Sequence, residues 1–217
     1  MSEKEQSALG EELYFAAQDG NLARIEDAIE AGADLEFQDV FEATPLLKAA
    51  FYGRSEAVRC LVNHGADVRA RQHNGLTVLH HAVRHQDPDL VEFLVANHAE
   101  VEAADEDGES VLMAAAETGN LRIVRMLVEA DADPKRTDDD GWTVLHAAAR
   151  SANLDLVRYF VEEIHLSPRV CDVDGLTPFD LLCEMAQDPD VEFAKYRPVL
   201  DFLRTFQPRE NLEGEKE

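Results

Sequence analysis

Three histidines lie close together in the segment NGLTVLHHAVRH, residues 74–85. His81 and His85 are four residues apart, a spacing that places two imidazoles on one face of a helix, as at the start of a zinc site. Such a site needs two or three further ligands, and no Cys or Asp lies at a supporting spacing. Cys60, followed four residues later by another histidine, raises the alternative of a reactive thiol. Metal- or thiol-dependent catalysis around His80, His81, His85 and Cys60 is therefore one hypothesis, weighed against a purely structural role.

The composition favours a soluble protein whose thiols are reduced. The chain has 217 residues, 45% hydrophobic and 30% charged, which is ordinary for one domain or a short array of repeats. No apolar run approaches the ~18 residues of a membrane helix, and the start MSEKEQSALG lacks the features of a signal peptide. Three cysteines without CxxC spacing argue against a disulfide framework or a zinc knuckle. We therefore expect a cytoplasmic or nuclear protein.

The charge indicates which partners are favoured. Acidic residues outnumber basic ones 45 to 20, giving a formal net charge of -25. Most of this charge lies between the two termini rather than in them. Such a chain should repel phosphate backbones and anionic membranes, so we expect no nucleic acid and no membrane partner. A protein partner with a basic surface is favoured instead.

One sequence pattern recurs along most of the chain. The segments TPLLKAA, TVLHHAV, SVLMAAA and TVLHAAA begin at Thr44, Thr77, Ser110 and Thr143, 33 residues apart at each step. A fifth segment, TPFDLLC, begins at Thr177, one residue late. Each is followed by a second apolar helix pattern, such as LRIVRMLVEADAD. Self-similarity at this period indicates an array of structural repeats.

These residues resemble the ankyrin repeat. The resemblance rests on the T-x-L-H-x-A-A opening, the I-V-x-x-L core of the second helix, the G-A-D endings at Gly32 and Gly65, and the D-x-D-G turns. It implies an all-α repeat solenoid, an ankyrin stack of helix-turn-helix units joined by β-hairpin-like loops. The predicted organisation is a flexible N-terminus (1–9), an ankyrin repeat domain (10–206) and an acidic flexible tail (207–217). The domain would comprise a capping unit (10–38), full units (39–71, 72–104, 105–137 and 138–171) and a C-terminal capping unit (172–206) with an insertion (187–197).

The repeat also predicts structural roles for particular residues. Branched residues of the second helices should fill the layers between units: Val58, Leu61, Val91, Leu94, Val124, Leu127, Val157 and Phe160. Gly32 and Gly65 suit a left-handed turn, a place that His98 and Asp131 take in later units. The resemblance implies that His80 and His146 are hydrogen-bonded to a threonine and to the neighbouring turn. His81 should pack inside, and His85 should lie at the exposed end of its helix.

The resemblance further implies that hairpin tips and first helices form one concave surface where partners usually bind. The predicted protein-binding residues there are Phe41, Phe51, Tyr52, Arg71, His73, Arg84, His85, Glu109, Glu117, Asp139, Trp142 and Arg150. Ala43 and Leu76 fall at matching positions. The aromatic residues are the expected anchors, because exposed aromatic groups are typical binding hot spots. Alternatively, Phe51 and Tyr52 only cover the capping unit, and the acids only keep the surface soluble.

Together these observations favour a non-catalytic interaction module. We expect a monomer without cofactor or metal, acting as an adaptor, inhibitor or assembly factor that binds a basic protein segment with an apolar anchor. Two alternatives remain open at this point. One is the metal- or thiol-dependent enzyme described above, and the other is a tether that binds through the insertion at residues 187–197.

Overall fold

The computed structural model describes residues 3–187 and 192–208, which fold into short helices joined by turns. The chain divides into two compact units, Met1–Glu106 and Asp107–Glu217. The first unit contains α1 (Glu3–Asp19), α2 (Leu22–Glu30), α3 (Pro45–Phe51), α4 (Ser55–Asn63), α5 (Val78–Arg84) and α6 (Pro88–Ala96). The second contains α7 (Val111–Thr118), α8 (Leu121–Glu129), α9 (Val144–Arg150), α10 (Leu154–Arg158), a π-helical turn (Tyr159–Glu163), α11 (Pro178–Met185), a 3₁₀ turn (Phe193–Lys195) and α12 (Arg197–Arg204).

This succession of helices confirms the predicted all-α repeat architecture. The loops carry hairpin-like pairing, seen in the antiparallel bridges Arg71 to Thr77 and Thr137 to Thr143. Within the described ranges, no helix is both long enough and apolar enough to cross a membrane.

Polar side chains cap the N-termini of both the first and the second helices of the repeats. Ser110 accepts a hydrogen bond from the backbone N–H of Met113 at 3.2 Å at the start of a first helix. Asn120 does the same for Ile123 at 3.3 Å at the start of a second helix. Such a cap satisfies a backbone donor that has no partner within the helix and contributes about 1 kcal/mol. The other side-chain caps include Thr44, Thr143 and Thr177, and Asn21, Asp87 and Asn153.

Apolar side chains fill the layers between neighbouring helices within each unit. In the first unit α3 packs against α1 and α5, and α4 packs against α2 and α6; in the second, α9 packs against α7 and α11, and α10 against α12. The eight branched or aromatic residues predicted to fill these layers are all fully buried. Small buried residues in the first helices, Ala49, Ala82, Ala115 and Ala148, allow close approach of the backbones.

The turn after each second helix contains a residue in the left-handed region, as predicted. Gly32 and Gly65 have φ of 86° and 96°. His98 and Asp131 hold the same place with φ of 66° and 68°. A side chain at such a backbone angle costs on the order of 1 kcal/mol, because its Cβ crowds the following carbonyl oxygen. These two turns are therefore strained where the earlier ones are not.

The N-terminal boundary differs from the prediction. Residues 1–9 were expected to be flexible, but α1 begins at Glu3. Gln6 donates a side-chain hydrogen bond to the carbonyl of Gly32 at 3.0 Å. Gly10 is buried where a Cβ would lie only 2.5 Å from the ring of Phe37, so the missing side chain lets α1 approach that ring. Residues 3–9 are therefore helical and continuous with the segment predicted to form the capping unit.

A π-helical turn explains why the fifth segment begins one residue late. The backbone N–H of Ile164 donates to the carbonyl of Tyr159, five residues back, at 3.0 Å. In the preceding repeat the corresponding N–H of Ala130 donates to Met126, four residues back. A single wide turn accommodates one additional residue in a helix. The left-handed residue that follows is His165 (φ 63°), so the repeat ends in the same way despite the insertion.

The last helices close the second unit. Arg158 lies 5.4 Å above the ring of Phe202 on α12. In the predicted insertion, residues 188–191 lie outside the described ranges, and the 3₁₀ turn that follows places Phe193 6.1 Å from the buried Tyr196 in a stacked arrangement. The predicted acidic tail lies outside the described ranges from residue 209 onward.

Candidate protein-binding surfaces

Backbone hydrogen bonds join the hairpin tips of the first unit. The N–H of His73 donates to the carbonyl of Phe41, and the N–H of Glu106 donates to the carbonyl of Asn74, both at 3.1 Å. Gly75 has φ of 79°, and a Cβ there would lie 2.9 Å from the Cα of Asp105. Glycine is therefore required for the tips to approach each other. This backbone frame holds the side chains at the tips in fixed positions.

The three aromatic residues predicted as anchors are exposed. Phe41 is 66% exposed, Phe51 51% and Tyr52 41%. The rings of Phe51 and Tyr52, called here the aromatic pair, meet edge to face with their centroids 5.1 Å apart. About half of the surface of these three residues faces water, although the helices do not need aromatic side chains there in order to form. Exposed apolar surface of this kind is typical of a binding site.

Neighbouring side chains hold the aromatic pair in place. The ammonium group of Lys48 lies 5.5 Å from the ring centre of Tyr52 and 4.9 Å from that of Tyr14. The Tyr14 hydroxyl donates a hydrogen bond to Asp39, whose other oxygen accepts the N–H of Phe41 at 2.9 Å. Sequence reasoning missed this support, because no motif marks Tyr14, Asp39 and Lys48 as neighbours.

The three histidines of the opening segment make three separate contacts. Nδ1 of His80 accepts the backbone N–H of Thr77 at 3.2 Å. Nε2 of His81 donates to the amide oxygen of Gln72 at 2.9 Å. Burial lowers the pKa of His81 to about 3, and the nearby basic groups act in the same direction. His85 donates from Nε2 to the backbone carbonyl of Phe51 at 2.8 Å. Each ring thus makes a structural hydrogen bond, and that of His85 joins two neighbouring repeats.

The remaining predicted residues of the first unit vary in their surroundings. His73 and Arg84 are exposed, as expected for residues that meet a partner. Arg71 is exposed too, but its guanidinium pairs with Glu100 at 2.8 Å. Ala43 and Leu76 are buried, which corrects their placement on the contact surface. Their small or apolar side chains face the core at the base of each hairpin.

In the second unit, four of the five predicted residues line one cavity of about 240 Å³. Its lining residues, called here the acidic pocket, are Asp107, Glu109, Met113, Glu117, Asp138, Asp140, Trp142, Ala147 and Arg150. Five carboxylates and one guanidinium therefore face a cavity with an indole and a thioether in its wall. The predicted residue Asp139 is exposed and does not line this cavity.

The hairpin tips position the acidic pocket. The N–H of Asp139 donates to the carbonyl of Asp107 at 3.0 Å, which joins the two tips. A side-chain oxygen of Asp138 accepts the N–H of Trp142 at 2.7 Å and so fixes the indole at the base of its hairpin. Burial raises the pKa of Asp138. Sequence reasoning placed Asp139 among the binding residues, but Asp138 and Asp140 line the cavity instead, because the orientation of three successive aspartates depends on the turn geometry.

Two nitrogen-containing groups lie near the ring system of Trp142. The guanidinium of Arg150 lies 5.4 Å from the centre of the Trp142 ring system and pairs with Glu117. His146 stacks on the indole with 5.8 Å between centroids. His146 also donates from Nε2 to the carbonyl of Leu176 at 3.1 Å, as its predicted structural role requires. Burial lowers the pKa of His146, which favours the neutral ring.

The described residues offer little support for a metal site or a reactive thiol. Across residues 3–187 and 192–208, no three side chains of His, Cys, Asp or Glu are grouped so that they could hold a metal ion. Cys60 is half-buried, with Sγ 3.7 Å from Nδ1 of His64. That nitrogen donates to the Cys60 carbonyl at 2.8 Å, and burial raises the pKa of the thiol. A raised pKa reduces the thiolate that a nucleophile needs.

Comparison with known proteins identifies the repeats. The family model described as "Ankyrin repeats (3 copies)" matches residues 13–105, 86–169 and 112–193. Ankyrin repeat domain-containing protein 29 of Danio rerio is 33% identical over 73 residues, covering 33% of this chain and 24% of that protein. Ankyrin repeat and SAM domain-containing protein 6 of Mus musculus is 41% identical over 64 residues, covering 29% of this chain and 7% of that protein.

A third relative carries the name of an enzyme. The 2-5A-dependent ribonuclease of Mus musculus is 39% identical over 64 residues, which cover 29% of this chain and 9% of that protein. The chain thus matches less than a quarter of the length of each of these three relatives. The similarity concerns repeat units, and the activities of the whole relatives do not follow from it.

Proposed function

The chain belongs to the ankyrin repeat family, and from this premise we propose that it is a non-catalytic module that binds a basic protein segment with an apolar anchor. Ankyrin repeats generally mediate protein–protein interaction, which supports the general class. The finer statement, on the kind of segment, comes from the side chains of the two units. Adaptor, inhibitor and assembly factor are all roles that such binding would serve.

The exposed aromatic pair is the observation that carries the proposal. Phe51 and Tyr52 stand next to each other at the end of α3 with about half of each ring in water. Exposed aromatic residues of this kind act as anchors at interfaces, each often contributing about 2 kcal/mol or more. An apolar side chain of the partner would cover them. His85, hydrogen-bonded to the Phe51 carbonyl, would fix the backbone beneath the contact.

The acidic pocket of the second unit supports a basic partner. Its five carboxylates outnumber its one guanidinium, and the whole chain carries a formal net charge of -25. Such a field accelerates association with a basic surface and disfavours acidic ones. Binding should therefore weaken as salt increases, because added ions screen exposed charges.

The same arrangement supports the absence of catalysis. His80, His81 and His85 are each used in a structural hydrogen bond, and the raised pKa of Cys60 disfavours its thiolate. We further propose that the chain acts as a monomer in the cytoplasm or nucleus, where its odd number of cysteines would remain reduced.

Affinity capture of partners, followed by measurement of the affinity for a purified partner, tests the proposal. The variant Phe51→Ala/Tyr52→Ala should weaken binding about 30-fold or more, which corresponds to about 2 kcal/mol. The control variant is Phe93→Ala on α6, which removes a half-buried ring that lies beneath Arg59 and is not part of the aromatic pair. Circular dichroism should show wild-type helical content for both variants.

Undiminished binding by the double variant would refute the aromatic anchor. A variant in which residues 187–197 are replaced by a short Gly/Ser linker examines the tether alternative. If that replacement abolishes binding while the aromatic variant binds normally, the partner contacts the insertion and the proposal is wrong in its choice of surface.

A further inference from the structure

We infer that the acidic pocket binds one arginine side chain of the partner segment, with its guanidinium against Trp142 and between the carboxylates. The inference rests on the proposed function, because it names the residue type that the basic segment would insert. Its evidence comes from the second unit alone.

The size of the cavity indicates a single side chain. The acidic pocket has a volume of about 240 Å³. Sites for drug-sized ligands and cofactors are typically about 300 to 1,000 Å³. A smaller cavity between two hairpin tips and the helices α7 and α9 suits one long side chain that enters from a chain lying across the tips.

The lining indicates a cation with an apolar stem. Asp107, Glu109, Glu117, Asp138 and Asp140 supply negative charge around the cavity, against the single positive charge of Arg150. Met113, Ala147 and Trp142 add apolar wall. Arginine and lysine both combine a methylene stem with a charged end, and their stems can lie along apolar surface while the charge meets carboxylates.

The contacts of Arg150 distinguish a guanidinium from an ammonium group. The chain already holds one guanidinium against the Trp142 ring, at 5.4 Å, paired with the carboxylate of Glu117. This internal group shows that the wall accommodates a planar cation that lies near the indole and pairs with a carboxylate at the same time. Arginine combines stacking with forked hydrogen bonding to carboxylates, whereas the lysine ammonium is a compact, strongly hydrated charge.

The position of Arg150 also implies competition. Its guanidinium occupies one part of the wall that an incoming arginine would use, at Glu117 and the indole. Removing this side chain should therefore free a contact position and raise the net negative charge of the pocket. Both changes should strengthen the binding of an external arginine.

Trp142 provides a direct readout, because it is the single tryptophan of the chain. Its fluorescence in the full chain is titrated with the peptide acetyl-Gly-Gly-Arg-Gly-Gly-amide and with two peptides in which lysine or citrulline replaces the arginine. Citrulline keeps the shape of arginine without its charge. We expect a saturable change with the arginine peptide, at least about threefold weaker binding of the lysine peptide, and no saturation with citrulline.

Two pairs of matched variants test the residues. Glu109→Gln/Asp140→Asn should weaken the binding of the arginine peptide about tenfold or more, because two negative charges of the pocket are lost. Glu162→Gln, which alters an exposed acid outside the pocket, should leave the affinity unchanged. Arg150→Ala should tighten binding several-fold, whereas Arg169→Ala, which removes an exposed positive charge elsewhere, should change it by less than about twofold.

Two results would overturn the inference: equal responses to arginine and citrulline peptides by the wild-type chain, or equal affinity for arginine in the wild type and in Glu109→Gln/Asp140→Asn. Both readings compare concentrations at half-saturation, so a change in the brightness of Trp142 alone does not affect them. Failure here leaves the proposed function standing if a partner still binds in a manner sensitive to Phe51→Ala/Tyr52→Ala. Loss of that sensitivity defeats the proposed function instead.

Discussion

Replacing His81 by leucine should reduce the sensitivity of the protein to mild acid. His81 is buried in the first unit, where its ring meets Phe51 edge to face and donates a hydrogen bond to Gln72. Burial, together with the charges of Arg84, His80 and His85, lowers its pKa from 6.5 to about 3. Leucine retains the apolar contact and cannot be protonated.

The magnitude follows from the difference in proton binding between the two states. Between pH 6.5 and about 3, the unfolded chain binds a proton at this residue and the folded chain does not. The folded state is therefore favoured above pH 6.5 and loses free energy of unfolding as the pH falls. Each pH unit corresponds to about 1.4 kcal/mol, so the loss at pH 5.0 is about 2 kcal/mol.

Urea unfolding followed by circular dichroism, at pH values from 5.0 to 7.5, measures this effect. Near pH 7.5 the His81→Leu variant should lie within about 1 kcal/mol of the wild type, because it loses one hydrogen bond and gains apolar burial. At pH 5.0 it should be the more stable chain by about 1 to 3 kcal/mol. A smaller pH dependence should persist in the variant, since burial also lowers the pKa of His146.

His81→Ala provides the matched control, because alanine stands at the equivalent positions Ala114 and Ala147. It also removes the titrating ring but leaves a cavity, whose cost does not depend on pH. Both variants should therefore show the same reduced pH dependence at different absolute stabilities. If either retains the full wild-type dependence between pH 5.0 and 7.5, the reasoning about His81 is wrong.

Two further predictions concern the turns and the core. His98→Gly should raise the free energy of unfolding by about 1 kcal/mol, because the left-handed backbone then carries no Cβ. Gly65→Ala should lower the free energy of unfolding by a similar amount, since a Cβ there meets no atom within 4 Å and only backbone strain remains. Unchanged thermal unfolding in both variants would contradict the strain. Leu94→Ala should lower the free energy of unfolding by about 2 to 5 kcal/mol, because Leu94 is fully buried on α6. If the variant unfolds at the same urea concentration as the wild type, that placement of Leu94 is wrong.

The repeat pattern predicted most of the fold. A period of 33 residues located the paired helices, and the repeats placed His98 and Asp131 at the left-handed position that Gly32 and Gly65 occupy in earlier units. The resemblance to the ankyrin repeat implied the hydrogen bonds of His80 and His146 to threonines, which the structure contains. These features depend on short-range spacing, which a sequence shows directly.

Features that depend on side-chain orientation or on one local contact were not predictable. The close approach of Gly10 on α1 to the ring of Phe37 is a contact between distant positions. Membership of the acidic pocket depends on which of three successive aspartates the turn directs inward. The resemblance to the ankyrin repeat pointed to Glu109, Glu117, Trp142 and Arg150 as binding residues, but it did not show that Arg150 would pair with Glu117 beside the indole.

The π-helical turn at Tyr159–Glu163 has a consequence for how this chain tolerates change. An inserted residue in a regular helix rotates all later side chains by about 100°, which would point the apolar face of the helix end into solvent. Here the widened turn confines that rotation to a few residues, and Thr177 still begins its helix in the ordinary way. We therefore expect that removing one residue at this turn restores a regular helix and leaves the apolar face of the repeat directed at its neighbours.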